Sequence, residues 1–338
     1  MMKKRCDIVE WVICMLLMTT CFSACCSIDD DLSDCGEQEK DLKLEYQLRL
    51  VTNMTTELET QLTTITEMKV AGALRTHLEN IFSDHAHDID LNFYDTEGAL
   101  NSLYHKRDII DASQTSYTLT LPMRKYMHLA VANIADNNVV DLKDEQHSNT
   151  SMLLQEEGKT LDAHTTGLFT ARQSMEVLSD VSQTFNVRLF MANSAVALVL
   201  NPKGHNYTDL KVYATGFASQ FNISDSVYVY PAESPLITAE KVETDNDLLC
   251  YCTVNFPSRD VLTRAPASSL WQLKVYMTNA DGSTTETVLD IQEPLKAGEL
   301  KIIKGDVDDE GAIRPYNSTV GVSVTLDWQE GGTYHPNL

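Results

Sequence analysis

The sequence predicts a mainly β chain folded as two β-sandwich domains, the first of which carries one helix. Two observations support this prediction. The early segment LKLEYQLRL alternates apolar and polar residues, as a half-buried strand does. Beyond residue 183, nine short strand-like segments are separated by Gly, Pro, Asn and Asp, a spacing typical of all-β sandwiches. The length of the chain suits two domains of ordinary size.

The first domain is predicted over residues 41–182. Its first strand has an apolar face formed by Leu42, Leu44, Tyr46, Leu48 and Leu50. The run TEMKVAGALRTHLENIF predicts a helix with an apolar face of Met68, Ala71, Leu74, Leu78, Ile81 and Phe82. Three further strands are predicted in IDLNFYDTEG, SYTLTLP and YMHLAVANI. Residues 136–186 are looser in pattern and are expected to form loops between short strands.

The second domain is predicted over residues 183–338, with the boundary near residues 179–184. Its expected strands lie in NVRLFM, AVALVLN, LKVYATGF, SVYVYP, LLCYCTVNF, SLWQLKVYMTNADG, TETVLDI, LKIIKG and VGVSVTLDW. Trp271 alternates with apolar neighbours in one of these strands, so it is expected in the core and not as an exposed sugar-binding platform.

The amino terminus has the pattern of a lipoprotein signal peptide over residues 1–24. A basic start is followed by the apolar run WVICMLLM, which is far shorter than the roughly 20 residues that span a bilayer. FSAC then provides the small residues that precede an acylated cysteine, which would be Cys25. Residues 25–40 would form an acidic linker. The alternative is an ordinary secreted protein that is cleaved nearby, with Cys25 in a disulfide.

The remaining cysteines suggest structural roles. Cys26 and Cys35 could close a small disulfide loop in an oxidising compartment. Cys250 and Cys252 lie two residues apart in a β-rich run and therefore share one face of a strand. A zinc ribbon needs two C-x-x-C pairs, which the sequence lacks. Buried apolar thiols are the interpretation that we favour for Cys250 and Cys252.

Charge and motifs argue against nucleic-acid binding and catalysis. The formal net charge is −23, whereas phosphate binding needs clustered basic side chains. DHAHD and GDVDDEGAIRPYN are the best metal candidates, but the first lacks further ligands and the second has Asn317 where a calcium loop places glutamate. We interpret them as a loop and an acidic turn. The chain carries no nucleophile elbow or nucleotide-binding fingerprint, so we predict no enzyme activity and no cofactor.

The stretch CCSIDDDLSDCGEQEKDLKLEYQLRLVTNM resembles the start of the fimbrillin-associated anchor proteins of Bacteroidales type V pili. The residues that carry the resemblance are Cys25, Asp31 with Leu32, Cys35, the strand at residues 42–50, and Asn53 with Met54. IDLNFYDTEGAL and YTLTLPMRKYMHLAVAN also resemble later family segments. Met123, Arg124 and Asn133 depart from the family pattern.

This resemblance implies two transthyretin-like sandwiches in tandem and assembly with fimbrillin subunits by donor-strand exchange. In such an anchor the first strand is retained and fills the groove of its own subunit, so the anchor can donate a strand but cannot accept one. The candidate donor segment comprises Val320, Val322, Val324, Leu326 and Trp328. Plain sheet core is equally compatible with both alternating patterns.

The resemblance also implies a location. SIDDD after Cys25 is similar to the surface-export signal of Bacteroidetes lipoproteins. The expected location is therefore the outer membrane, lipid-anchored and surface-exposed, at the base of a fimbrium whose length the protein limits. Anchor and accessory roles both remain open. The rival hypothesis is a surface lipoprotein that binds glycans.

Overall fold

The computed structural model describes residues 42–51, 68–81, 87–96, 105–111, 116–135, 137–143, 150–153, 160–178, 183–244, 247–260 and 269–326. Within these residues the chain forms one helix, α1 (Met68–Ile81), and many strands. In the amino-terminal part the strands are β1 (Leu42–Val51), β2 (Asp88–Asp95), β3 (His105–Asp111), β4 (Ser116–Leu121), β5 (Lys125–Ala132), β6 (Val140–Lys143), β7 (Thr150–Leu153), β8 (Phe169–Glu176) and β9 (Thr184–Met191).

The carboxyl-terminal part contains the remaining strands. They are β10 (Ser194–Asn201), β11 (Tyr207–Thr215), β12 (Gln220–Asn222), β13 (Val227–Val229), β14 (Ile237–Thr238), β15 (Glu240–Val242), β16 (Leu249–Asn255), β17 (Trp271–Asn279), β18 (Thr284–Ile291), β19 (Leu300–Val307), β20 (Ile313–Pro315) and β21 (Gly321–Thr325). Each segment predicted to be a strand contains one, and the mainly β fold class is confirmed. The eight-residue β8 lies in the region expected to be mostly loops.

The strands form four sheets. Sheet 1 has seven strands in the order β3-β2-β5-β8-β9-β1-β4, and sheet 2 has four in the order β13-β12-β7-β6. Sheet 3 has the order β15-β16-β10-β19-β20, and sheet 4 the order β14-β11-β17-β18-β21. Most pairings are antiparallel, but β9 lies parallel to β1 and β19 lies parallel to β10.

Helix α1 packs through the side chains of Val70, Leu74, Leu78 and Ile81, all of which are buried. Their spacings of four, four and three residues keep them on one helical face. The assignment of Met68 to this face was wrong, because Met68 is 87% exposed. At 3.6 residues per turn it points away from Val70 and Leu74. Phe82 lies outside the described residues.

Two clusters of buried side chains hold the sheets together. The first joins α1, one face of sheet 1 and one face of sheet 3. The second joins the other face of sheet 3 to sheet 4, and sheet 2 to sheet 1. Strand β10 shows the arrangement, because Ala197 belongs to the first cluster and Leu198 to the second. Burial on both faces explains its continuous apolar run AVALVL.

Both clusters contain residues from either side of position 182. Strand β9, which begins at Thr184, pairs with β1 in sheet 1. The division into domains at residues 41–182 and 183–338 stays a prediction.

Candidate functional site

Strand β1, the predicted retained strand, lies inside sheet 1 with a partner strand on each side. It pairs antiparallel with β4 over residues 42–47 and parallel with β9 over residues 45–51. A strand has two hydrogen-bonding edges, and β1 uses both. Removal of β1 would therefore leave an open groove between β4 and β9.

The register opposes the apolar positions of β1 to buried residues of its neighbours. Leu121 and Leu119 of β4 oppose positions 42 and 44, and Val187 and Leu189 of β9 oppose positions 48 and 50. All four neighbours are buried. The backbone register is therefore compatible with the predicted groove-filling strand. The structure does not describe the five side chains predicted to fill the groove, which are those of Leu42, Leu44, Tyr46, Leu48 and Leu50.

Strand β21, within the predicted donor segment, lies at an edge of sheet 4 and, among the described strands, pairs only with β18. Val320, just before the strand, is buried. Val322 and Val324 are 37% and 36% exposed, and Leu326 is 51% exposed. Main-chain pairing thus holds a strand whose apolar side chains are only partly covered. Trp328 lies outside the described residues.

The partial exposure of β21 has a cause in the facing sheet. The amide of Ile313 in β20 donates a hydrogen bond to Oγ1 of Thr287 in β18, at 3.1 Å. This contact places β20, the last strand of sheet 3, opposite β18. Thr287 pairs with Val324, so β21 is one strand farther out than β18. Among the described residues, sheet 3 has no strand that extends over β21.

The predicted structural cysteines are confirmed where they are described. Cys250 and Cys252 are buried free thiols on β16, opposite Val199 and Ala197 of β10. Burial raises the pKa of Cys250 to about 12 and also raises the pKa of Cys252. Neither thiol is therefore a reactive nucleophile. Cys25, Cys26 and Cys35 lie outside the described residues, so lipidation and a Cys26–Cys35 disulfide stay predictions.

Trp271 is a core residue, as predicted. Its side chain is fully buried beside Phe217, with the ring centroids 5.6 Å apart. The indole Nε1–H donates a hydrogen bond to the carbonyl oxygen of Glu293 at 2.9 Å. A sugar-binding platform needs an exposed ring, which Trp271 does not offer.

The acidic segment after β19 forms a turn, as predicted. The carboxylate of Asp308 accepts hydrogen bonds from the amides of Glu310 and Ala312 and from Nε of Arg314, which closes the β19–β20 hairpin. Asp88, the first residue of β2, accepts hydrogen bonds from the amides of Ile134 and Ala135, just after β5. Residues 84–86 of DHAHD lie outside the described residues. In the part of the chain that the structure describes, no three His, Cys, Asp or Glu side chains are grouped to hold a metal ion.

The described part of the chain contains no helix with the length and apolar character needed to cross a bilayer.

Comparison with known families assigns the chain. The family model of fimbrillin-A associated anchor proteins Mfa1 and Mfa2 matches residues 66–331. The chain belongs to this family. The resemblance seen at the amino terminus is therefore confirmed over a largely different stretch of sequence. This is a family of fimbrial anchor proteins and not of enzymes, so the chain has a fimbrial accessory role without enzyme activity.

Two solved structures of candidate adhesins share the fold of this family member at low identity. A candidate adhesin from Bacteroides ovatus gives a TM-score of 0.50 at 13% identity and covers 87% of this chain and 98% of its own. A second candidate adhesin from Bacteroides ovatus gives a TM-score of 0.50 at 14% identity. It covers 86% of this chain and 97% of its own. The fimbrial anchor protein Mfa2 from Porphyromonas gingivalis gives a TM-score of 0.45 at 12% identity. It covers 85% of this chain and 99% of its own. No curated protein matches the sequence significantly.

The structure adds two features that the sequence did not predict. The alternation in NVRLFM indicates a strand but not its parallel pairing with β1, because pairing depends on a distant segment. Arg124, which departs from the family pattern, binds the buried carboxylate of Asp95 at 2.6 Å. The backbone carbonyl oxygen of Arg124 also accepts a hydrogen bond from the amide of Val177. Arg124 therefore fixes the turn between β4 and β5.

Proposed function

We propose that this family member is a lipid-anchored anchor or accessory subunit of a type V fimbria. Acylated Cys25 would hold it in the outer membrane, surface-exposed at the base of the fimbrium. It would join fimbrillin subunits by donor-strand exchange and limit the length of the fimbrium.

The contrast between β1 and β21 carries this proposal. Strand β1 is paired on both edges, so the groove it occupies is closed to a strand from another subunit. Strand β21 is paired on one edge and leaves Val322 and Val324 partly exposed. A donated strand needs free main-chain groups for affinity and alternate apolar side chains for register, and β21 offers both. A subunit that donates but does not accept would end growth at its own position.

The first experiment tests the anchor. Tagged wild-type protein and the Cys25→Ala variant are extracted from outer membranes in mild detergent, and co-purified partners are identified by mass spectrometry. We expect a fimbrillin ladder with the wild type and release of fimbriae into the medium with the variant. Wild-type protein free of fimbrillin, from cells shown to express one, would contradict the proposal and favour a glycan-binding surface lipoprotein.

A second experiment tests the donor strand. The double variant Val322→Asp/Val324→Asp places charge on the apolar side of β21, whereas Ser323→Asp/Thr325→Asp places it on the other side of the same exposed strand. We expect the first pair to abolish recovery of fimbrillin and the second to retain it. Equal recovery with both pairs would show that β21 is ordinary sheet edge.

A further inference from the structure

One end of sheet 1 gathers the start of β1 and several connections between strands. Position 42 pairs with Leu121, so the turn that leads from β4 into β5 lies beside the start of β1. Lys125 pairs with Glu176, which places the end of β8 at this end of the sheet. Strand β9 begins here as well, because position 45 pairs with Thr184. We call this the proximal end.

Two large apolar side chains are exposed at the proximal end. Met123, in the turn between β4 and β5, is 46% exposed, and Leu178, just after β8, is 48% exposed. The amide of Val177 donates a hydrogen bond of 2.9 Å to the carbonyl oxygen of Arg124. Each exposed residue is therefore adjacent in sequence to one partner of this bond. The two connections are held together and present both side chains from the same end.

Two ion pairs lie near Met123 and Leu178 among the described residues. Arg124 binds Asp95 at 2.6 Å, and Lys125 lies 4.0 Å from Glu176. Charged side chains described at the proximal end thus form two ion pairs, in a chain whose formal net charge is −23. This end can approach an anionic surface with less repulsion than the net charge implies.

We propose that Met123 and Leu178 contact the lipid surface in which Cys25 is anchored, so that the proximal end rests on the membrane. The inference rests on the lipid attachment in the proposed function. Residues 26–41 separate Cys25 from β1, and whatever conformation they adopt they span at most about 60 Å. Two side chains would not hold a free protein on a bilayer. A tether raises the effective concentration of the surface, so a weak contact is sufficient.

The contact would orient the subunit as well as hold it. Strand β9 runs from the proximal end to Met191, where the chain continues into β10 and sheet 3. The carboxyl-terminal sheets, with β21 among them, are therefore reached from the opposite end of sheet 1. With the proximal end on the lipid, the candidate donor strand would face away from the membrane, where fimbrillin subunits must add.

The test places an environment-sensitive fluorophore at Met123→Cys or Leu178→Cys. The matched control is Val229→Cys, because Val229 is 42% exposed and its neighbour Tyr228 donates a hydrogen bond to the carbonyl of Ala192, beyond the far end of β9. Cys26 and Cys35 are replaced by serine, and the buried thiols stay unlabelled. Full-length chains, produced in cells that acylate lipoproteins, are mixed with vesicles of phosphatidylethanolamine and phosphatidylglycerol with brominated acyl chains.

Flotation of the vesicles tests the lipid anchor separately from the contact. We expect labels at positions 123 and 178 to shift to the blue and to lose emission to the brominated chains, and the label at position 229 to do neither. Slower deuterium uptake over residues 122–124 in vesicles than in detergent, measured on the unsubstituted chain, would support the same contact.

Three results would overturn the inference. A chain that floats while positions 123 and 178 stay in water refutes the contact and leaves the anchor standing. A chain that does not float refutes the anchor and this inference with it. A blue shift that appears without vesicles and grows with protein concentration shows that a second copy of the chain covers Met123 and Leu178.

Discussion

The amide of Gly167 donates a hydrogen bond to the carbonyl oxygen of Ile81, the last residue of α1, at 2.9 Å. Two further bonds fix this junction. The side-chain amide of Asn133 donates to the carbonyl oxygen of Gly167 at 2.9 Å, and the oxygen of the same side chain accepts from the amide of His87. Asn133 has a φ of 63°, which asparagine tolerates better than most residues. The segment before β8 is thereby joined to the end of α1 and to the segment before β2.

We expect Gly167→Ala to destabilise the protein by about 1–3 kcal/mol, because the added carbon leaves too little room. A Cβ at this position would lie 2.7 Å from the carbonyl oxygen of Ile81 and 3.3 Å from Cε of Met191. Urea unfolding measures the effect. The matched control is Gly72→Ala on the exposed side of α1, where a Cβ meets nothing within 4 Å. That variant should gain about 0.5–1 kcal/mol. Equal effects of both substitutions would contradict the packing argument.

We expect Arg124→Ala to cost about 3–5 kcal/mol of stability, since it removes the cation beside a buried carboxylate. Asp95 is 1% exposed, and its Oδ2 accepts the 2.6 Å bond from Arg124. The comparison is Lys125→Ala, which removes an exposed 4.0 Å pair with Glu176 and should cost less than about 1 kcal/mol. Thermal or urea unfolding of both variants gives the comparison. A small effect at Arg124 would mean that other groups or water stabilise Asp95.

Two buried histidines predict a loss of stability in mild acid. Burial lowers the pKa of His128 to about 4 and that of His164 to about 3. The hydrogen bond between His128 and the carbonyl oxygen of Asn92 acts in the opposite direction and raises the pKa of His128. In the unfolded chain both titrate near 6.5. Between these values the unfolded state binds more protons, so stability falls as pH drops from about 6.5 toward 4. For His128 alone the full loss is on the order of 3 kcal/mol.

The surroundings of His164 explain why it resists protonation. Oδ1 of Asn193 accepts a hydrogen bond from the amide of Leu168, so the amide nitrogen of Asn193 faces His164. It donates to Nδ1 of the imidazole at 2.6 Å. A proton on Nδ1 would break this bond. We expect His128→Gln and His164→Gln each to flatten the decline measured by urea unfolding between pH 7 and pH 4.5, and an unchanged slope in both would refute this cause.

Local sequence patterns were sufficient to predict much of the secondary structure. Alternation or short apolar runs mark β1, β10 and β17 without reference to the rest of the chain. The same local logic correctly assigned Trp271, Cys250 and Cys252 to the core. It expected only short strands between loops at residues 136–186 and did not locate the eight-residue β8, because FTARQSME mixes polar and apolar residues and is buried mainly at its start.

Features that depend on distant segments could not be predicted in this way. The parallel partner of β1 is set by sheet topology, and nothing in LKLEYQLRL specifies it. Exposure of Val322 and Val324 depends on where β20 ends in the facing sheet, so alternation alone could not separate a covered strand from an open one. Met68 was misassigned because a run of apolar residues can be fitted to more than one helical face. Packing in the cluster that α1 shares with sheets 1 and 3 selects the face of Val70 and Leu74.

Lys274 predicts a second pH effect, in the opposite range. It is fully buried on β17, and this burial lowers its pKa to about 8 against the attraction of Glu286 and Asp290. The unfolded chain keeps the proton up to about 10.5, so between pH 8 and 10.5 it binds more protons than the folded chain. The wild type should therefore gain stability relative to Lys274→Met as pH rises through this range. Urea unfolding at pH 7, 8.5 and 10 measures the difference.

The control for Lys274 lies on the neighbouring strand. Lys211 of β11 is exposed, with its Nζ 3.8 Å from Asp209, so Lys211→Met is the matched replacement of an exposed lysine. A difference between wild type and Lys274→Met that stays constant from pH 7 to pH 10 would mean that Lys274 keeps its proton in the folded protein. In that case the carboxylates of Glu286 and Asp290 would outweigh the cost of burial.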